Sequence, residues 1–229
     1  MELRERQISV TIGYDLILQG DLALPADALA VVLFAHGSGS GRFSPRNRYV
    51  ASALQQAGLA TVLVDLLTLE EEEQERFTRH LRFDIGLLAG RLAAVTRWLR
   101  NDAETQPLPI GYFGASTGAA AALVAAARLP DQVSAVVSRG GRPDLAGEAL
   151  VSVRAPTLLI VGGADREVIS LNRAAFQELR AEKKIEIVPG ATHLFEEAGT
   201  LERVAALARE WFVDHLAPPR PTEMAQAVL

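Results

Sequence analysis

The chain contains no cysteine, which excludes disulfide bonds, thiolate metal sites and a cysteine nucleophile. Long apolar runs are also missing. The longest, Ala119 to Ala127, is far shorter than the roughly 20 residues of a membrane-spanning helix. The opening residues MELRERQISV mix charges of both signs and lack the apolar segment of a secretory signal. We therefore expect a cytoplasmic protein with no membrane partner.

Basic clusters and the common cofactor motifs are absent as well. The formal net charge is -5 and the basic residues are scattered, so nucleic acid is not an expected partner. No Walker A pattern, HExxH or metal-ligand spacing occurs, so the sequence predicts neither a cofactor nor a metal. The length fits one domain over residues 1–217 and a proline-containing, frayed tail over 218–229, in a monomer or small homo-oligomer.

Short apolar runs alternate with stretches of helical periodicity. Such runs predict strands buried on both faces, and their alternation with helices predicts an α/β fold with a doubly wound, mostly parallel sheet and helices on both faces. The predicted strands are Val31 to Phe34, Ala60 to Val64, Ile110 to Phe113, Val133 to Val137, Thr157 to Val161 and Ile185 to Val188.

Two further segments lie outside this alternation. Residues Gln7 to Leu24 alternate in polarity around Gly13-Tyr14-Asp15, which predicts an antiparallel hairpin at one edge of the sheet. The acidic run Glu70 to Glu73, followed by Glu75, favours a solvated, mobile loop or the start of a helix rather than a binding site.

A G-x-S-x-G motif stands between a predicted strand and an alanine-rich predicted helix, as Gly114-Ala115-Ser116-Thr117-Gly118. In this context the serine occupies a tight, strained turn, and the flanking small residues let strand and helix pass closely. The alternative is a Gly-Ser turn that serves only packing. The strand before it and the helix after it favour Ser116 as a catalytic nucleophile.

The base and the acid can be sought among loops at the carboxyl edge of the sheet. Of the four histidines, His193 follows the last predicted strand, whereas His36, His80 and His215 are expected to be structural or exposed. Asp165 follows the strand before it and is the preferred acid, with Asp144 and then Glu167 as alternatives. The order serine, aspartate, histidine is that of α/β-hydrolases.

The stretch His36-Gly37-Ser38-Gly39-Ser40-Gly41 follows the first parallel strand and can turn backbone N–H groups toward one point. We predict that the N–H groups of Thr117 and Ser38 form an oxyanion hole. A dinucleotide-binding turn is the competing interpretation, but Arg42 stands where that motif needs glycine or alanine. A plain flexible turn is the other alternative.

Several stretches resemble the dienelactone hydrolase-like branch of the α/β-hydrolases, and the resemblance runs from about Gln7 to Leu216. They are FAHGSGSGRFSPRN, GYFGASTGAAAAL, VSRGGRPDLA, LLIVGGADREV and PGATHLFEE. The resemblance implies a metal-independent hydrolase that uses Ser116, Asp165 and His193. One departure is that dienelactone hydrolases have cysteine where Ser116 stands. Arg139, in the third stretch, is expected either to bind a substrate carboxylate or to pair with Asp144 or Asp165.

These features predict a serine hydrolase that cleaves carboxylic esters of small molecules through an acyl-enzyme intermediate. A thioesterase or acyltransferase would use the same triad, and an idle hydrolase fold could act as a binding module. The interval Ser138 to Ala155 is too short for a helical cap domain, which leaves Leu66 to His80 as the only other cover. We therefore expect an open site that prefers short acyl groups.

Overall fold

The computed structural model describes residues 2–78 and 80–217, and for Arg76 the backbone alone. The predicted tail 218–229 lies outside the described residues. The strands are β1 Leu3–Ile12, β2 Leu16–Pro25, β3 Ala30–Ala35, β4 Leu59–Val64, β5 Ile110–Ala115, β6 Val133–Arg139, β7 Thr157–Gly162 and β8 Lys183–Val188. The helices are α1 Pro45–Gln56, α2 Leu69–Thr78, α3 Ile85–Asn101, α4 Thr117–Arg128, α5 Arg166–Glu178 and α6 Thr200–Leu216, with 3-10 segments at Leu81–Phe83 and Pro143–Ser152.

The strands form one sheet in the order β1-β2-β4-β3-β5-β6-β7-β8. All pairs from β4 to β8 are parallel, whereas β1 pairs antiparallel with β2, and β2 with β4. This confirms the α/β-hydrolase fold, the predicted strands and the predicted hairpin at one edge of the sheet. Because the central strands are parallel, the loops after β3, β5, β6, β7 and β8 all leave at the same edge.

Helices cover both faces of the sheet. As a result, every residue of β3, β4, β5 and β7 is buried. Along β3, Val31 and Leu33 belong to the core beneath α3, α4 and α5, whereas Val32 and Phe34 belong to the core beneath α1 and α6. This alternation places successive side chains in different layers. In the described part of the chain, no helix is both long and apolar enough to cross a membrane.

No helical cap is inserted between β6 and β7, where the only helical segment is the short Pro143–Ser152, interrupted at Gly147 with φ +53°. The acidic run, by contrast, is part of a regular helix. A capping box starts α2, because the Thr68 N–H donates to Glu71 Oε2 at 2.8 Å and the Glu71 N–H donates to Thr68 Oγ1 at 3.3 Å.

The expected solvation of this acidic run is wrong for two of its glutamates. Glu71 receives two hydrogen bonds from Arg91, which is only 4% exposed. Glu75 is 2% exposed and accepts from the N–H of Leu81 at 2.5 Å and from Nε of Arg82 at 2.6 Å. Glu71 and Glu75 are one helical turn apart, so they lie on the same, inner face of α2. Through Arg82 and Arg91 this face is bound to the 3-10 segment Leu81–Phe83 and to α3.

We predict that Glu75→Gln destabilises the fold by about 1–3 kcal/mol at pH 7. Burial raises the pKa of Glu75, but hydrogen bonds from Arg82 and from the Leu81 and Arg82 amides outweigh it and lower the pKa to about 2. A depressed carboxyl pKa stabilises the fold above its ordinary pKa, and this contribution is lost as the pH falls toward 2. Urea unfolding of both proteins at several pH values measures the difference.

The control is Glu73→Gln, which removes a charge from an exposed position of the same helix. We expect it to change stability by less than about 0.5 kcal/mol at all pH values. A Glu75→Gln deficit that stays constant from pH 7 to pH 3 would show that the ion pair does not carry the effect.

Candidate active site

Ser116 lies on a strained turn between β5 and α4, with φ +50° and ψ -122°. The strand and helix pass so closely that a Cβ on Gly114 would lie 2.4 Å from Cα of Ala119. A Cβ on Gly118 would lie 2.2 Å from the carbonyl oxygen of Ala35, in β3. Only glycine fits at these two positions, so the predicted elbow geometry is present. Strain of this kind is typical of functional residues.

The two predicted oxyanion donors are next to each other. The Thr117 N–H is in the first turn of α4 and donates to no protein acceptor among the residues that the structure describes. The Ser38 N–H donates to Oγ1 of Thr117 at 3.1 Å. The Ser38 N–H is therefore directed at the first turn of α4, where the Thr117 hydroxyl accepts its hydrogen bond in this structure.

His193 and Asp165 are paired. Nδ1 of His193 lies 2.8 Å from Oδ2 of Asp165, and the loop bearing His193 folds against the end of β7. Close packing makes this possible, since a Cβ on Gly162 would lie 2.4 Å from the Ala191 carbonyl oxygen. Glu197 holds the same loop by accepting from the Thr192 N–H at 3.0 Å. A histidine oriented in this way exposes Nε2 as a proton acceptor.

The end of β6 links the pair to the serine. The Arg139 carbonyl accepts from the Ser116 N–H at 3.3 Å, and a Cβ on the next residue, Gly140, would lie 3.7 Å from Nδ1 of His193. Ser116 and His193, both in the described ranges, are not hydrogen-bonded to each other. Catalytic hydrogen bonds often tighten only when substrate is bound. The edge therefore brings serine, histidine and aspartate into one neighbourhood.

The alternative residues are engaged elsewhere or exposed. Asp144 binds Arg142 through two hydrogen bonds of 2.9 and 2.8 Å, and Glu167 is exposed on α5. The buried His36 accepts from the Leu66 N–H at Nε2 and contacts the Gly37 carbonyl through Nδ1, 3.0 Å away. Burial lowers the pKa of His36, so its neutral form links the loops after β3 and β4. The expected structural role of His36 is confirmed.

The expectation that Arg139 pairs with Asp144 or Asp165 is wrong, because both carboxylates have other partners. The Arg139 side chain is 6% exposed, and its Nη2 donates to Oδ1 of Asn47 at 3.2 Å. Its Nε is buried without a partner among the described residues. Burial first, and the nearby Arg46 cation second, lower the pKa of Arg139 to about 10. The side chain is thus a cation surrounded by neutral or positive groups.

The anchor of the loop after β3 is not among the residues predicted from the sequence. Asp65, directly after β4, accepts from the Arg42 N–H at 2.7 Å and from Arg42 Nη1 at 2.6 Å. This double contact fixes the loop that carries Ser38. The available signal is the position of Asp65, since a carboxylate after a buried strand at the same edge can reach the neighbouring loop.

A cavity of about 170 Å³ lies beside the two predicted oxyanion donors. Polar and apolar groups share its lining about equally, and Glu75 holds Arg82 as part of the wall. The lining residues are His36, Gly37, Ser38, Gly39, Ser40, Leu67, Glu72, Glu75, Arg82, Leu88 and Thr117. Helix α2 and the segment after it therefore form one side of this cavity, whose lining residues do not include Ser116, Asp165 or His193. Over the described ranges, no cluster of three or more histidine or carboxylate side chains could hold a metal ion.

Comparison with known proteins shows the same fold and the same family. Residues 18–214 match the model of the dienelactone hydrolase family. The crystal structure of dienelactone hydrolase from Anabaena variabilis is 60% identical, covers 94% of this chain and 100% of its own, and superposes with a TM-score of 0.92. Est1E from Butyrivibrio proteoclasticus, at 15% identity, covers 91% of this chain and 98% of its own with a TM-score of 0.76, which shows the fold alone.

A Mycobacterium tuberculosis protein that carries the provisional name phosphoribosyl transferase is 56% identical over 220 residues. The match covers 96% of this chain but 48% of the relative, so the chain spans about half the length of that protein.

The family assignment rests on the fold, on the family match over residues 18–214 and on the 60% identity to the Anabaena protein. The chain belongs to the dienelactone hydrolase family and has the α/β-hydrolase fold.

Proposed function

We propose that this hydrolase cleaves carboxylic esters of small molecules, with Ser116 as nucleophile, His193 as base and Asp165 as the acid that orients it. The observation that carries the proposal is the 2.8 Å contact between His193 Nδ1 and Asp165 Oδ2, at the same sheet edge as the strained Ser116 turn. Asp165 holds the proton on Nδ1, which leaves Nε2 free to accept a proton.

In the first half-reaction, Nε2 of His193 takes the Ser116 hydroxyl proton while Oγ bonds to the ester carbonyl carbon. The tetrahedral intermediate collapses when the C–O bond to the alcohol breaks and the imidazolium protonates the departing oxygen. In the second half-reaction His193 deprotonates water, which attacks the acyl-enzyme. The acid leaves and the serine regains its proton.

The oxyanion is bound by the Thr117 and Ser38 N–H groups in this proposal. The Thr117 amide donates to no acceptor within the described residues, and the positive end of the α4 dipole adds to its effect. The Ser38 amide must exchange the Thr117 hydroxyl for the substrate oxygen. The Asp65–Arg42 contacts support this by holding the loop in place before substrate arrives.

The volume of the cavity supports small substrates. A 150 Å³ cavity accommodates benzene, so about 170 Å³ accommodates a group of roughly six non-hydrogen atoms. The walls carry Glu72, Glu75 and Arg82, which suit a polar group rather than a long hydrocarbon chain.

Thioester hydrolysis and acyl transfer would use the same residues and differ only in the leaving group or the acceptor. The phosphoribosyl transfer in the name of the mycobacterial relative belongs to a chain of about twice this length. We assign only the hydrolase chemistry to the present chain. A soluble, monomeric or small homo-oligomeric cytoplasmic enzyme that needs neither metal nor cofactor is part of the proposal.

We predict that Ser116→Ala lowers kcat for p-nitrophenyl acetate by about 10⁵ to 10⁶ and abolishes labelling by a fluorophosphonate probe. The wild type should be labelled at Ser116, as peptide mass spectrometry would show. Unlabelled but folded wild-type protein would instead support an idle fold that acts as a binding module.

We predict that Asp165→Asn lowers kcat/KM by up to about 10⁴, because the amide favours the wrong histidine tautomer. Asp144→Asn is the matched control, since Asp144 is a carboxylate at the same sheet edge that binds Arg142 rather than a histidine. It should change kcat/KM by less than about tenfold. A greater loss for Asp144→Asn would assign the acid role to that residue.

We predict that kcat/KM falls steeply from acetate and butyrate esters to palmitate esters, because the cavity cannot hold a long acyl chain. The measurement is a p-nitrophenyl ester series at concentrations below the solubility limit of each ester. Since no cap is inserted between β6 and β7, the rate should not rise at a lipid–water interface. A preference for long chains would contradict this use of the cavity.

A further inference from the structure

Asn172 is a fully buried polar residue in the middle of α5. It is 0% exposed, and its Nδ2 donates to the Gly141 carbonyl at 2.9 Å and to the Val168 carbonyl, one helical turn earlier, at 2.8 Å. Its Oδ1 is buried and has no partner among the described residues. A buried acceptor without a donor destabilises a fold, and asparagine is a poor helix former. The stability of α5 therefore does not explain an amide at this position.

Gly141 belongs to a short segment after β6 that holds Ser116 by both of its backbone polar groups. The Arg139 carbonyl accepts from the Ser116 N–H at 3.3 Å, and the Arg142 N–H donates to the Ser116 carbonyl at 3.0 Å. Ser116 has a strained backbone with a positive φ, which persists only where its surroundings restrict it. The position of the 139–142 segment therefore determines the position of Ser116.

The same segment lies against the histidine loop. The Gly140 N–H donates to the Ile160 carbonyl of β7 at 2.8 Å, and a Cβ on Gly140 would lie 2.9 Å from the carbonyl oxygen of His193. Packing this close transmits a shift of one backbone to the other. A displacement of the 139–142 segment would therefore alter the placement of Ser116 relative to His193.

Asn172 connects this segment to the element that carries Asp165. Asp165 is the N-cap of α5, and Asn172 lies two helical turns later. One end of this helix therefore contacts His193 through Asp165, and its middle contacts the 139–142 segment through Asn172. Within the described part of the chain, the Gly141 carbonyl accepts from no other donor. The Asn172 amide is thus the polar link between the acid helix and the segment that holds the serine.

We propose that Asn172 is a positioning residue, whose hydrogen bond to Gly141 keeps the 139–142 segment, and with it Ser116, in the active arrangement relative to α5. The inference rests on the proposed function, because it concerns the geometry of the same triad. Without this bond the buried Gly141 carbonyl lacks a donor, and the segment shifts until the carbonyl finds another one. A misplacement of about 1 Å slows an enzyme by up to about 10²-fold.

The first test is Asn172→Leu, which removes the hydrogen bond but keeps the number of side-chain non-hydrogen atoms. We expect kcat for p-nitrophenyl acetate to fall by about 10- to 100-fold with little change in KM, because Asn172 lies behind the segment and does not contact substrate. The rate at which a fluorophosphonate labels Ser116 should fall by a similar factor. One unpartnered acceptor, Oδ1, is exchanged for another, the Gly141 carbonyl, so Tm should stay within about 3 °C of the wild type.

Asn172→Ala separates activity from stability. It removes the same hydrogen bond and also leaves a void in the core, so Tm should fall by at least about 4 °C. Its kcat, measured well below Tm, should nevertheless match that of Asn172→Leu. A purely structural role predicts the reverse, namely a lower Tm and an unchanged kcat for the folded fraction of both variants.

Ser138→Ala is the matched control. Ser138 is buried on the other side of the same glycine, since a Cβ on Gly141 would overlap with its Oγ. This Oγ has no partner among the described residues, so the substitution removes a polar group from the same place without removing a hydrogen bond. It should keep the kcat and KM of the wild type. A loss as large as that of Asn172→Leu would show that packing around Gly141, rather than the hydrogen bond, controls activity.

The second test is amide hydrogen exchange measured residue by residue by NMR, which does not depend on catalysis. In Asn172→Leu the Arg142 amide, which donates to Ser116, should exchange at least about tenfold faster than in the wild type. The amide of Val32, in the buried strand β3, should be unaffected and serves as the reference.

The two tests distinguish failure of the inference from failure of the proposed function. An active wild type combined with full kcat in Asn172→Leu would refute the positioning role and leave the proposed function intact. A wild type that neither hydrolyses esters nor reacts with the fluorophosphonate would refute the proposed function. Exchange at Arg142 would then still decide the role of Asn172, since an unchanged rate overturns the inference in every case.

Discussion

The close crossing of β3, β5 and α4 is the constraint on which the rest of the site depends. At Gly114 and Gly118 the backbones approach so closely that no Cβ atom fits. Between these two glycines the chain turns at Ser116, which adopts a positive φ. The same crossing brings the loop after β3 against the elbow, since a Cβ on Gly37 would lie 3.0 Å from Cβ of Ser116. Ser116 and the loop that carries Ser38 are thus positioned by the same close packing.

Charged side chains then fix the loops that the crossing brings together. The loop after β3 is held by Asp65, the histidine loop by Glu197, and α2 by Arg91 and Arg82. The contact of Glu197 lies within the histidine loop, whereas the contacts of Asp65, Arg91 and Arg82 join different segments of the chain. The site therefore obtains its order from ion pairs and hydrogen bonds at the sheet edge, where the apolar cores of the two faces cannot reach.

Features that depend on the backbone could be predicted from the sequence. The parallel strands, the elbow and the pairing of His193 with Asp165 follow from apolar runs, glycine spacing and the rule that such strands end at one edge. The scarcity of histidine helped, since only four residues had to be weighed. The catalytic roles of these residues remain predictions.

The failures concern side-chain direction. Val137 lies in the core beneath α1 and α6, so Arg139, two residues later on the same strand, points to that face. Asp144 lies in the segment that packs on α4 and α5, across the sheet. Similarly, the helical phase of Glu71 and Glu75 predicts one shared face, but the arginines that they meet are distant in sequence. The acidic composition of the run Glu70 to Glu73, with Glu75, is typical of solvated surface, which is why the sequence predicts it to be solvated.

The attachment of the β1–β2 hairpin has a consequence for how the molecule opens. Ten residue pairs join β1 to β2, but only four join β2 to β4. The weakest backbone ladder in this part of the sheet therefore separates the hairpin from the parallel strands. Partial unfolding at this seam would release the hairpin as a cooperative unit and expose its amides to hydrogen exchange. Ser116, Asp165 and His193 lie beyond the seam, so their surroundings can stay folded while the edge fluctuates.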